Sequence, residues 1–465
     1  MVMRKVQLLL FMEGLVSVSL QFLYMRHLLP NVGSSVTVAS IVVSVFLLFL
    51  ALGYHYGGEV TTHHRRILSR NFLKAAIVIS IGLSPLPRLL WFESWSEEIP
   101  RNALLAGYLL LFMAPPVFWL GQTMPLLAND VQAETKGKVS GTVLFYSTIG
   151  NVIGSLVSVL VLMRFAGFGL TALVNIAVLL GLYFHTSDSR ARSASIIATL
   201  AVPLAFLVYV LEVQLYDKTN QFANYKITTR FWQKEETTDP KRQHRVLLAN
   251  NLAQSTINDV GETSPYMQFI RDRIAALGAD CHAPLDVLVL GAGGFTAGYL
   301  DTVNRYTYVD IDPSIRDYAE REFLKKPVNG AFVASDARQY LITHAKRWDI
   351  IVLDTFSATI AVPAHLATRE YFALVKSRLA ENGVVIVNTV LRKGFGDAYA
   401  RRMNRTIGSV FPHCTITEIF QPPAPPPSDP QARVARESSP NANFVYVCPM
   451  QQEDDGVFED STIAY

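Results

Sequence analysis

Charge is what this 465-residue chain has least of: 17% of its residues are Asp, Glu, Lys or Arg, against about a quarter in ordinary soluble domains. With 50% hydrophobic residues, it is too apolar to be an ordinary soluble enzyme throughout. The shortage is uneven, with apolar residues concentrated before about position 213 and charges after it. A net charge of only +3 and the lack of any Arg/Lys run with interleaved aromatics argue against nucleic acid as a partner. Cysteine is rarer still. Cys281, Cys414 and Cys448 stand far apart without CxxC spacing, so they read as buried or free thiols, with neither a disulfide framework nor a zinc site. No two halves carry matching broken helices, which argues against a transporter.

Long apolar runs, by contrast, are plentiful. Seven of them approach the roughly 20 residues that a hydrocarbon core requires. They lie near Val6–Leu28, Val36–Tyr54, Phe72–Trp91, Ala103–Gln122, Thr142–Met163, Leu170–Phe184 and Ile196–Val213. Arg4 and Lys5 ahead of the first run mimic a signal peptide. No clean small-residue cleavage site follows, however, and further runs do, so a retained helix is expected. Arg4, Lys5, Arg65, Arg66, Arg70, Lys136, Lys138, Arg190 and Arg192 fall on one side of the alternating loops, and Glu93, Glu97 and Glu98 on the other. That pattern puts the amino terminus of a multi-pass inner-membrane protein in the cytoplasm. Seven crossings leave the C-terminal half outside; six or eight leave it inside. Glu13 and Gln21 in the first run, and Gln122, Asn151 and Asn175 in or beside later ones, are either functional or hydrogen-bonded between helices, and a protonated Glu13 close to the interface is a further alternative. Gly150 and Gly154 form a GxxxG pair suited to close helix packing.

The domain expectation is therefore a transmembrane α-helical bundle over 1–213, a small β-rich subdomain over 214–283 and an α/β Rossmann-like domain over 284–465. In the second part NYKITTRFW, HRVLLANN and AQSTIND read as a β-meander, followed by a helix beginning at Ser264-Pro265. LDVLVLGAGGFTAGYL then reads as a buried strand, a glycine turn (Gly291, Gly293, Gly294) and a helix start, the opening of a nucleotide pocket. Strand and helix patterns alternate through YTYVDID, PSIRDYAEREFL, AFVASDARQYL, WDIIVLDTFS and TREYFALVKSRLAENG, the last closed by Gly383. VVIVNTV, DAYARRMNRTIGSVF, CTITEIF and NFVYVCP complete a mostly parallel sheet with an antiparallel end, and the proline-rich QPPAPPPSDP is an exposed connector.

Acidic residues fall at three successive strand ends: Asp310 and Asp312, then Asp336, then Asp354. Open α/β sheets bind ligands at such ends. Asp310 suits two ribose hydroxyls, or is simply a solvated carboxylate. Asp336 suits an adenine amino group, with Ala337 beside the ring, and also suits a helix N-cap. Asp354 suits a cationic substrate or a proton, or caps a loop.

The run LANNLAQSTIND…SPYMQFI, VLGAGGFTAGYL, YVDIDPSI, SDARQYL and WDIIVLDTFS…PAHLATREYF resembles the spermidine synthase (polyamine aminopropyltransferase) family over about residues 225–450. The apolar half resembles the multi-pass region of that family's membrane-fused branch. The resemblance implies a class I methyltransferase-type fold and aminopropyl transfer from decarboxylated S-adenosylmethionine to a diamine such as putrescine, with no tightly bound cofactor. It implies that Gln254 and Asp310 hold the ribose and the methionine-derived part, that Asp336 holds adenine, and that Tyr266 and Asp354 line the amine site. The chain departs from the family pattern in three places. The aspartate of GGGDGG is Gly294, Tyr-His-Glu becomes Tyr266-Met267-Gln268, and Ser357 stands where the DSSDP loop supplies its base. His365, in PAHL, is a candidate to reach the pocket. Adenosylmethionine-dependent methyl transfer and non-catalytic nucleoside or polyamine sensing are the alternatives; a homo-oligomer is left open.

Overall fold

The computed structural model describes residues 3–33, 36–95, 99–130, 136–187, 206–230, 240–250, 252–279, 283–355, 362–419 and 441–450. The chain divides into two compact units, Met1–Lys226 and Ile227–Tyr465.

The first unit is helical: α1 (Met3–Val32), α2 (Val36–Gly58), α3 (His64–Gly82), α4 (Pro85–Trp95), α5 (Arg101–Phe112), α6 (Ala114–Gly121), α7 (Thr123–Asp130), α8 (Lys136–Leu156) and α9 (Arg164–Thr186), with the π-helical stretch Val157–Met163 between the last two. A further short helix, α10, covers Phe206–Leu215. Among the described residues, three helices are long and apolar enough to cross a membrane, or up to five if each bent pair is one span. The bends have identifiable causes. α3 and α4 meet at 57° and α5 and α6 at 44°, where Pro85, Pro87, Pro115 and Pro116 withhold backbone N–H groups and restart the helix. The fifth and sixth predicted runs share one stretch, interrupted at Gly167 (φ 80°, ψ 177°). The seventh lies partly outside the described residues.

Small residues bring α1 and α8 into backbone contact. A Cβ on Gly150 would overlap the Phe11 carbonyl, and one on Gly154 the Leu15 carbonyl. The Ser19 and Ser158 hydroxyls pair further along. Glu13 is buried and hydrogen-bonds Ser147 of α8. Asn71 Nδ2 donates to Gln122 Oε1 at 2.7 Å, whereas Asn175 donates to Thr171 O within its own helix at 2.8 Å. After α10 the chain forms β1 (Lys218–Thr219), antiparallel to β2 (Asn224–Arg230).

In the second unit β3 (His244–Ala249) pairs antiparallel with β4 (Leu252–Ile257), and α11 (Pro265–Ala279) follows. Then come β5 (Asp286–Leu290), β6 (Arg305–Asp310), α12 (Ile315–Tyr318), β7 (Ala331–Ala334), α13 (Ala337–Thr343) and β8 (Trp348–Leu353). The unit closes with α14 (Arg369–Ser377), β9 (Leu379–Arg392), α15 (Ala398–Gly408), β10 (Thr415–Ile419) and β11 (Asn441–Pro449). The sheet order is β10-β11-β9-β8-β5-β6-β7. The five strands from β7 to β9 are parallel, and β11 and β10 run antiparallel. This is the Rossmann-like, methyltransferase-type order, with its switch point between β5 and β8. Buried runs such as Val287–Leu290 and Ile350–Leu353 supply the two-sided core that a parallel sheet needs.

Three expectations are corrected. No helix follows the glycine turn: residues 291–304 form turns only. The stretch is glycine-rich, with positive φ at Gly291, Gly293, Phe295 and Leu300, and the Gly298 N–H is captured by Tyr308 Oη at 2.9 Å. The helix expected to end at Gly383 ends at Ser377. Arg378 O accepts from Trp348 N at 2.9 Å, and Leu379 joins β8 in register with Trp348, so strand pairing overrides the helix-forming residues that follow. Cys414 and Cys448 are not thiols but a disulfide, opposite one another across β10 and β11. Cys281 and the proline-rich connector lie outside the described residues.

Candidate active site

The site assembles at the carboxyl ends of β7, β6, β5 and β8. Gly291 (φ 91°) allows the turn after β5 to lie against the β8 tip, since a Cβ there would overlap the Asp354 carbonyl. Asp354 N donates to Leu290 O at 2.9 Å, and Gly291 N to Val309 O at 2.9 Å. Ser255 of β4 fastens the far side of the turn, its Oγ accepting from Gly294 N at 2.8 Å. Gly293 (φ 50°) packs over the same hydroxyl. Gly294 itself is enclosed: a Cβ would overlap the Phe323 ring and stand 2.8 Å from Ser255 Cβ. A family-type aspartate has no room there.

Asp310 turns its carboxylate onto the glycine turn. Its Oδ2 accepts from Ala292 N at 3.0 Å and its Oδ1 from Asp312 N at 3.0 Å. Burial pushes its pKa up despite these bonds. Asp312 is 1% exposed and accepts from Ser314 N and Oγ at 2.8 and 2.7 Å, so it caps a turn beneath the strand tip. Asp336 is the N-cap of α13. Its Oδ1 accepts from Gln339 N at 3.0 Å and its Oδ2 from His365 Nε2 at 2.8 Å. Burial raises its pKa, but the Gln339 amide and His365 outweigh it and hold the carboxyl below its ordinary range. Ala337 is buried beside it in the first turn.

Asp354 is held from two sides. Asn388 Nδ2 of β9 donates to Oδ1 at 2.8 Å, and Tyr266 Oη of α11 lies 3.4 Å from Oδ2 and 3.4 Å from the Gln254 carbonyl. Asn443 Nδ2 of β11 in turn donates to Asn388 Oδ1 at 2.8 Å. Burial pushes the Asp354 carboxyl up to about 6, against the lowering by Asn388 and Tyr266. Burial and the neighbouring carboxylate push the Tyr266 phenol well above its usual value.

The strand order arranges these groups in a row: Asp336 beyond β7, Asp310 at β6, the glycine turn at β5 and Asp354 at β8. At about 4.8 Å per strand the row is roughly 14 Å long, the scale of a nucleoside with a short chain. His365 belongs to the Asp336 end. No sequence motif marks Asn388, Asn443 or Ser255 as site residues. Asn388 did leave a signal, as a polar residue inside the apolar run VVIVNTV, since a buried amide must be bonded. Ser357 lies outside the described residues.

Residues 267–425 match the spermine/spermidine synthase domain. The chain is 31% identical over 199 residues to polyamine aminopropyltransferase 2 of Pseudomonas aeruginosa, covering 40% of this chain and 55% of that protein. It is 28% identical over 196 residues to a probable polyamine aminopropyl transferase of Bifidobacterium longum, covering 38% and 42%. It thus spans about half the length of the curated relatives it matches. A probable spermidine synthase of Corynebacterium glutamicum superposes with a TM-score of 0.38 at 17% identity, covering 50% of this chain and 79% of that one. By this match and these relatives, the stretch 267–425 is similar to the spermine/spermidine synthase family.

Proposed function

We propose that the chain is a membrane-anchored aminopropyltransferase, using decarboxylated S-adenosylmethionine as donor and a diamine such as putrescine as acceptor. Adenine lies toward Asp336 and Ala337, ribose toward Asp310 and the glycine turn, and the amine beside Asp354 and Tyr266. The helical unit holds the domain at the inner membrane. The unprotonated amine attacks the carbon next to the sulfonium, the C–S bond breaks, and neutral methylthioadenosine leaves with the electron pair. The amine proton passes to a base. Asp354, with a pKa of about 6, is the carboxylate placed to draw a cationic amine and take that proton. The observation that carries this reading is Asp354 braced by Tyr266 and Asn388 at the switch point.

A second reading, non-catalytic binding of a nucleoside or polyamine, is favoured by one feature: Phe323 and Ser255 fill the space in which the family's amine-side aspartate would stand. Titrating the purified chain with decarboxylated adenosylmethionine, adenosylmethionine and methylthioadenosine, then assaying product from putrescine with wild type and Asp354→Asn, separates the two. Donor binding with turnover lost in Asp354→Asn supports transfer. Ligand binding without turnover in wild type supports the second reading, and equal turnover by both proteins removes Asp354 from the mechanism.

A further inference from the structure

We infer that the chain leaves the helical unit on the non-cytoplasmic face, so that the C-terminal unit meets its ligands on that side of the membrane. The inference rests on the membrane reading of the helical unit and not on the transfer chemistry.

The helical unit has two distinguishable ends. α8 runs parallel to α1, since Phe11 meets Gly150, Leu15 meets Gly154 and Ser19 meets Ser158. The start of α8, and α7 just before it, therefore lie at the amino-terminal end of α1. Asn129 of α7 reaches Gly58 O at 3.5 Å and Val60 O at 3.3 Å, which puts the α2–α3 connection at that same end. Arg4, Lys5, Arg65, Arg66, Arg70, Lys136 and Lys138 all belong to it.

At the carboxyl end of α1 two buried arginines hold the segment by which the chain leaves the helices. Arg26 donates to Asn220 O at 2.9 Å and to Asn224 Oδ1 at 2.6 Å. Arg88, 1% exposed, donates to Tyr216 Oη at 2.9 Å and Asn31 Oδ1 at 3.1 Å. His27 stacks on Phe168 at 5.3 Å, and Phe168 N donates to Thr219 Oγ1 at 3.2 Å. Residues 216–224 are thus clamped near the far end of the Arg4–Val32 span; from Arg4 to Arg26 the helix rises about 33 Å.

Among the described residues after Leu215 no helix is long and apolar enough to return. The longer stretches outside them, 231–239, 420–440 and 451–465, are rich in charge or proline by sequence. The cation-rich end is the cytoplasmic one, so the C-terminal unit is outside. The Cys414–Cys448 disulfide points the same way independently, because such bonds persist in oxidising compartments. Whatever the cleft binds is then met on that face.

The test uses the full chain in bacterial spheroplasts, with Cys281→Ser to remove the third cysteine and one exposed cysteine introduced at a time. Thr302→Cys reports the C-terminal unit and Thr62→Cys the cation-rich end. A large membrane-impermeant maleimide is expected to shift Thr302→Cys nearly completely in intact spheroplasts, and Thr62→Cys only after detergent lysis under denaturing conditions. The reverse pattern overturns the inference, as does labelling of both variants before lysis or of both only after it. None of these readouts depends on activity, so a catalytically silent protein still gives the answer.

Discussion

Asp354→Asn should make the protein more stable at neutral pH while abolishing the proposed transfer. The wild-type carboxyl is raised from 3.8 to about 6, burial being the largest cause. A native state that holds its proton more tightly than the unfolded chain loses stability as pH climbs between those two values. The rise is about two pH units at about 1.4 kcal/mol each, so at most about 3 kcal/mol. Water reaching the half-buried carboxylate brings this toward about 1–2 kcal/mol. Asparagine keeps an acceptor for Asn388 Nδ2 and carries no charge, so it escapes the penalty. Thermal melts of both proteins in one detergent, from pH 4 to 8, should show the variant's advantage growing from near zero below pH 4 to a plateau above pH 7. Putrescine should stabilise wild type more at pH 7.5 than at pH 5, and should leave the variant unmoved. An offset between the two melting curves that does not change with pH refutes the assignment of a buried, proton-retaining carboxylate.

Gly294→Asp, which restores the family residue, should destabilise by about 1–3 kcal/mol through overlap with Phe323; denaturant titration checks this, and unchanged stability would show that the ring gives way. Cys448→Ser should cost about 4 kcal/mol in the loop-entropy account for a 34-residue separation; adding reductant to wild type should reproduce the loss, and no change in either would rule the cross-link out. His365→Ala should free Asp336 Oδ2 and tighten methylthioadenosine binding several-fold by calorimetry; weaker binding would mean that the imidazole itself touches the base. Asn443→Leu should leave Asn388 without its anchor and lower kcat with little effect on donor affinity, a split that a merely structural role would not give.

The alternation of buried runs in the second half was legible because a parallel sheet covered on both faces must be apolar throughout, and the strand-end acids followed from it. What escaped was decided by contacts distant in sequence. The residues after Ser377 favour a helix until Trp348 takes the Arg378 carbonyl. A tyrosine hydroxyl from β6 claims the Gly298 amide and keeps the glycine stretch in turns. Cys414 and Cys448 pair only because β11 folds back on β10, and spacing along the chain carries no trace of that register. The Asn443–Asn388–Asp354 chain spans three strands and has no contiguous motif. Gly294 reads as the loss of an acid, whereas its surroundings make it a site filled by Phe323.

The helix-free crossover from 291 to 304 also bears on what the cleft selects. Dinucleotide sites rely on the partial positive charge at a helix N-terminus to hold pyrophosphate. Here that dipole is missing, while three carboxylates border the same row of strand tips. If the proposed sulfonium donor binds there, competition by ATP or NAD should be feeble at concentrations where an adenosyl sulfonium saturates.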